Sequence, residues 1–207
     1  MESRFFEEVE KIDKVIEALH SIHKVLQEKP LIFTFRSLEE GGEKQVSETI
    51  YLQLNEAVIN TGLVDFIDVE LFKEESLIES LVQRAHKNNV FVIISNHDFE
   101  KTPAKDDMIS RLIKAQELGA DIPKIAVMPN TVADVIKLLD ATNTMKEKFE
   151  DRPIITMSMG GKGVISRIAG EVFGSALTFG AAEKASAPGQ MAVTELRQMM
   201  KLLHKNL

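Results

Sequence analysis

The sequence predicts an α/β protein built on a parallel sheet, from three observations. Short apolar runs alternate with longer segments of helical period. The runs are apolar on both faces, as strands covered by helices on either side must be. Polar side chains recur near the C-terminal ends of several runs, the pattern of a (β/α) barrel, whose mouth collects groups from many strands. An open doubly wound sheet would place a Gly-rich phosphate turn after its first strand, and none follows residues 31–36.

A first helix is predicted from Val9, Ile12, Val15, Ile16 and Leu19. Strand-like runs follow at 31–36, 66–71, 90–95, 122–128, 154–158 and 172–179. Helical spacings of three and four separate them: Val46, Ile50, Leu54 and Val58; Leu77, Leu81 and Ala85; Met108, Leu112 and Ala115; Val132, Val135, Ile136 and Leu139. Val193, Leu196, Met200 and Leu203 predict a closing helix. Thr34 and Arg36 share a face of the first run, and Asp68 and Glu70 share a face of the second. Ser95 and His97 end the third, Lys124 lies on the fourth, and Thr156 and Ser158 lie on the fifth.

Composition narrows the function. At 207 residues, 44% hydrophobic and 28% charged, the chain has the size and make-up of one globular domain, expected to span 1–207. Without cysteine it has no thiol nucleophile, thiolate metal site or disulfide framework. A formal net charge of -7 with no offsetting basic run argues against nucleic acid as a partner. No apolar stretch approaches a membrane span and the N-terminus lacks signal-peptide regions, so a cytoplasmic location with no membrane partner is expected. His20 and His23 could ligate a metal but lack an evident third ligand, so no metal is expected. Gly160-Gly161-Lys162-Gly163 lacks the pattern of a phosphate loop and is expected to be a plain loop.

Lys124 carries the strongest chemical signal. In Ile122-Pro123-Lys124-Ile125-Ala126-Val127-Met128, strand alternation puts it on one face with Ile122, Ala126 and Met128. An ammonium in an apolar wall is expensive, so burial favours the neutral amine, which can attack a carbonyl to form a Schiff base. A strand-end lysine that snorkels to water is the structural alternative.

Six segments together resemble one family. They are Phe33-Thr34-Phe35-Arg36-Ser37 with Glu40-Gly41-Gly42-Glu43; Ile67-Asp68-Val69-Glu70-Leu71; Ser95-Asn96-His97-Asp98-Phe99; Pro123 to Pro129 around Lys124; Ser166-Arg167 with Gly170 to Ser175; and Lys184-Ala185-Ser186-Ala187-Pro188-Gly189-Gln190. In order and spacing they are similar to the type I 3-dehydroquinate dehydratases, lyases of the shikimate pathway. The resemblance implies a (β/α)8 TIM barrel that dehydrates 3-dehydroquinate to 3-dehydroshikimate through a lysine Schiff base, without a cofactor and as a homodimer. It implies that Lys124 is the Schiff-base lysine, that His97 is the acid/base and that Glu40 orients His97. It further implies that Arg36 and Arg167 bind substrate and that Ser186 and Gln190 lie on a loop closing over it. Asp68 and Glu70 are expected to be a hydrogen-bonded structural pair beneath the site.

The resemblance is incomplete at the N-terminus. A full barrel runs to about 250 residues, and about six β/α units are counted here. The family's first two strands, the second with a Glu-x-Arg-x-Asp motif, are expected to be missing upstream of Phe5-Phe6. Glu2-Ser3-Arg4 mimics the motif but is expected to have no strand around it. Residues 31–36 and 172–179 would then be open sheet edges. Two alternatives stand beside the dehydratase reading: a Schiff-base aldolase, or a catalytically weak fragment.

Overall fold

The computed structural model describes residues 1–3, 5–149 and 151–207. Its elements are α1 (Ile12–Leu26), β1 (Ile32–Thr34), α2 (Glu48–Asn60), β2 (Phe66–Glu70), α3 (Glu75–Lys87), β3 (Phe91–Asp98), α4 (Lys105–Glu117), β4 (Ile122–Val127), α5 (Val132–Lys148), β5 (Ile155–Ser158), α6 (Val164–Ile168), α7 (Gly170–Phe173) and α8 (Val193–His204). The strands form a five-stranded parallel sheet in sequence order. The chain divides into two compact units, Met1–Ser95 with Ala115–Asp121, and Asn96–Lys114 with Ile122–Leu207. No helix among the described residues is long and apolar enough to cross a membrane.

In the first unit the register Thr34↔Asp68 and Glu70↔Ser95 sorts the side chains by face. Phe33, Phe35, Ile67, Val69, Val92 and Ile94 join the helix-facing core with Val15, Leu19, Leu54, Val58, Leu81 and Ala85. The opposite face holds Thr34, Asp68, Glu70 and Ser95, all buried. Alternation thus separates packing from chemistry residue by residue. Ser47 caps α2 by accepting from the Ile50 N–H at 3.3 Å.

In the second unit the register Lys124↔Ile155 and Ala126↔Met157 does the same. Ile125 and Val127 pack with Leu138, Ala141 and Met145 of α5, and Ala126, Ile155, Met157 and Met159 form the other face. Thr131 and Asp134 form a reciprocal capping box at the start of α5.

Three expectations need correcting. Residues 172–179 are not a sixth strand. A helical turn, α7, ends at Gly174 in the left-handed conformation, which turns the chain out of a strand path. What remains of strand pairing there is the single bridge Ile154↔Ser175. Thr156 and Ser158, read among the polar groups that strand ends deliver to the barrel mouth, lie instead on the face opposite Lys124, because the β4–β5 register gives the Lys124 face to Ile155 and Met157. Thr156 instead bonds Thr142 of α5 at 2.7 Å. Finally, the N-terminus is not without strand pairing. Glu2 bridges Thr34 in parallel, with Ser3 N–H donating to the Thr34 carbonyl and Thr34 N–H to that of Met1, both at 2.9 Å. The edge of β1 at Thr34 is therefore bonded, since Met1 to Ser3 supply the backbone donors and acceptors that an open edge lacks. Arg4 of the motif mimic lies outside the described residues.

Candidate functional site

The candidate residues fall on both units: Arg36 and Glu40 on the first, and His97, Lys124, Arg167, Ser186 and Gln190 on the second. Each group is built by local features of its own unit.

Arg36 follows β1 on its polar face and is 1% exposed. Its Nη2 donates to Asp68 Oδ1 at 2.7 Å. Nη1 donates to Ser95 Oγ at 3.0 Å, Glu70 Oε1 at 3.1 Å and Glu40 Oε2 at 3.3 Å. Ser95 Oγ donates to the same Asp68 oxygen at 2.5 Å, and Glu70 Oε1 also accepts the Ser37 N–H at 2.8 Å. Burial alone would push the guanidinium down, but Asp68, Glu70 and Glu40 outweigh it and hold Arg36 well above its ordinary value. Asp68 and Glu70 thus both meet the Arg36 guanidinium.

Glu40 reaches this cluster because residues 38–40 make a 3₁₀ turn closed by Gly41 in the left-handed conformation. The next residue must be glycine for a different reason: a Cβ on Gly42 would lie 1.9 Å from the Arg36 carbonyl oxygen. The chemistry of Glu40-Gly41-Gly42 is therefore that of a chain folded tightly back onto Arg36.

In the second unit Lys124 is 9% exposed on the face it shares with Ala126. The wall of that face is Ala126, Ile155, Met157 and Met159, with Phe99, Ile122, Met128, Leu177 and Phe179 packed against it. The Lys124 Nζ stands 5.0 Å above the centroid of the Phe179 ring. His97 lies at the end of β3 and stacks on Phe99, with centroids 6.4 Å apart and planes 24° from parallel. Beyond it Asp98 Oδ1 accepts the N–H groups of Glu100 and Lys101, turning the chain where the strand ends.

Arg167 on α6 is buried and its fork is directed at main-chain carbonyls: Nη2 donates to Pro188 at 3.2 Å and Nη1 to Phe179 at 3.5 Å. Burial pushes its guanidinium down, and its Nε has no hydrogen-bond partner. Residues 186–190 close on themselves, Gln190 Oε1 accepting the Ser186 N–H at 2.7 Å and Gln190 Nε2 donating to Ser186 Oγ at 3.1 Å. The turn needs Gly189, whose φ is 76° and whose absent Cβ would stand 2.3 Å from the Gly160 carbonyl oxygen. The Gly160 N–H donates to Pro188 at 3.0 Å, so the loop after β5 and the 186–190 turn are tied together.

Sequence reasoning missed Phe179 and Phe99 as site residues. Phe99 follows Ser95-Asn96-His97-Asp98 directly, a signal that was available; Phe179 had none, since its segment reads as a strand. Among the described residues no three His, Asp or Glu side chains gather as a metal site requires.

The profile of the type I 3-dehydroquinase family matches residues 4–207. A 3-dehydroquinate dehydratase of Bacillus licheniformis is 64% identical over 203 residues, covering 98% of this chain and 80% of the relative. One from Listeria monocytogenes is 61% identical over 201 residues, covering 97% and 79%. The crystal structure of type I 3-dehydroquinate dehydratase from Clostridium difficile with covalently modified comenic acid superimposes with a TM-score of 0.96 at 57% identity, covering 100% of this chain and 82% of that one. A 3-hexulose-6-phosphate synthase, at 20% identity and a TM-score of 0.54, shares the fold alone.

Proposed function

Because this chain belongs to the type I 3-dehydroquinase family, a lyase family whose members dehydrate 3-dehydroquinate in the shikimate pathway, we propose that it does so through a Schiff base on Lys124. The observation that carries this is a lysine, 9% exposed, on a strand face walled by alanine, isoleucine and methionine. Water is scarce there, and a neutral amine is a competent nucleophile.

Lys124 Nζ adds to the ring ketone. The ketone oxygen leaves as water, taking one amine hydrogen and one proton, and the nitrogen keeps one hydrogen and a positive charge. That iminium withdraws electrons from the neighbouring carbon, whose proton His97 removes. The electron pair expels the hydroxyl one carbon further on, and His97 returns its proton to the departing oxygen. Water then hydrolyses the product imine and frees Lys124. Glu40 orients the imidazole in this scheme, and Arg36 and Arg167 bind substrate. Arg167 suits a carboxylate bidentately, and its present bonds to Pro188 and Phe179 tie it to the turn that carries Ser186 and Gln190, which closes the site against water. One barrel domain over 1–207, assembled as a cytoplasmic homodimer, completes the proposal.

Borohydride reduction in the presence of 3-dehydroquinate, followed by peptide mass spectrometry, is the test. A stable adduct is expected on Lys124 and is expected to vanish in Lys124→Ala. An adduct on Lys162 or Lys184 instead would move the nucleophile.

A further inference from the structure

Phe179 touches the proposed site twice. Its ring lies beneath the Lys124 nitrogen at 5.0 Å from the centroid, and its carbonyl accepts from Arg167 Nη1 at 3.5 Å. The ring also packs against the wall of Ala126, Ile155, Met157 and Met159, so its position is held from the apolar side. Resting on the reading of Lys124 as the Schiff-base lysine, we propose that Phe179 is a positioning residue whose ring face carries the positive charge of the Lys124 nitrogen while the imine exists.

The physical basis is the ring quadrupole. The face of a benzene ring is negative, and a cation within about 6 Å of its centroid is attracted, more so when water is excluded. Nζ meets both conditions, being close and attached to a residue 9% exposed. During the reaction the charge at this nitrogen appears when the neutral amine becomes iminium and disappears when the neighbouring carbon loses its proton. A fixed ring face favours the charged member of that sequence over the neutral ones. A carboxylate at the same place would stabilise the cation more strongly but would also oppose the electron withdrawal that the elimination needs, whereas a quadrupole is a weaker and shorter-ranged hold.

Mere filling of the wall by a large apolar side chain is the competing account, and ring electronics separate the two. Replacing Phe179 in the full chain by 4-fluoro-, 3,5-difluoro- and 3,4,5-trifluorophenylalanine keeps its shape while draining the ring face. With saturating 3-dehydroquinate and a borohydride quench, the fraction of chain reduced at Lys124 is expected to fall stepwise, by about five-fold across the series. Phe179→Leu, which keeps apolar bulk and deletes the ring face, is expected to match the trifluoro variant, with far-ultraviolet circular dichroism unchanged throughout. Adduct that stays level or rises with fluorination overturns the inference alone. Absence of any Lys124 adduct in the protein with phenylalanine at 179 overturns the Schiff-base reading and this inference with it.

Discussion

The buried cations Arg36, in one unit, and Lys124, in the other, are handled in opposite ways. Arg36 is surrounded by Asp68, Glu70, Glu40 and Ser95, and its charge is locked on. Lys124 is set in an apolar wall above an aromatic ring. A guanidinium held by three carboxylates keeps its proton and its place, so it is a fixed charge. An amine set in apolar packing over a ring face is the environment that the proposed Schiff-base role of Lys124 calls for. The same sheet geometry serves both, since each side chain projects from a strand, or the end of one, onto the face turned away from the helix core.

The largest expected effect comes from Lys124→Met. Dehydration is expected to fall to background while the melting temperature stays level or rises, because a desolvated amine gives way to an apolar side chain of similar length. A variant that loses activity by unfolding would erase the contrast with Arg36, and a thermal melt read beside the activity assay decides it. Next, His97→Ala is expected to lower turnover by about two to four orders of magnitude while borohydride still traps substrate on Lys124. Near-normal turnover would shift the acid/base role to Glu40.

Arg36→Met is the mirror experiment. It leaves Asp68, Glu70 and Glu40 buried together, and a loss of about 3–5 kcal/mol is expected in urea unfolding. A loss below about 1 kcal/mol would mean that the carboxylates find other partners or protonate readily, and the cluster would not need the fixed charge of Arg36.

The smallest effect belongs to a charge at the surface. Asp134 is held down at about 2 by hydrogen bonds from Lys137 and from Thr131 in the α5 capping box. A carboxyl depressed below its unfolded value of about 3.8 stabilises the fold fully above that value, and the contribution is lost as pH falls through about 2. Asp134→Asn should therefore melt slightly below the parent at pH 7, and the two melting curves should converge as the pH approaches 2. A gap that persists in acid would assign the effect to helix-cap geometry rather than to charge.

Much of this was legible in the residues because it depends on alternation and spacing. The period of two placed Lys124 with Ala126 and grouped Asp68 with Glu70. The helical spacings found the helices that flank the strands, and the six family-like segments named the chemistry. These are local properties, written in neighbours a few residues apart. What the residues could not reveal depends on which strand stands beside which, and in what register. Thr156 and Ser158 alternate just as Asp68 and Glu70 do, and only the pairing Lys124↔Ile155 turns them to the helix side. Residues 172–179 are apolar enough for a strand, yet Gly174 in the left-handed conformation ends α7 there and leaves a single bridge. Met1 to Ser3 carry no strand signal of their own and are ordered by Thr34, thirty-odd residues away. Phe179 beneath Lys124 is the same lesson at the site. Residue types and their faces follow from the chain, because the backbone period dictates them. The partners a side chain meets across the fold follow only from tertiary packing, because contact between residues distant in sequence leaves no periodic trace.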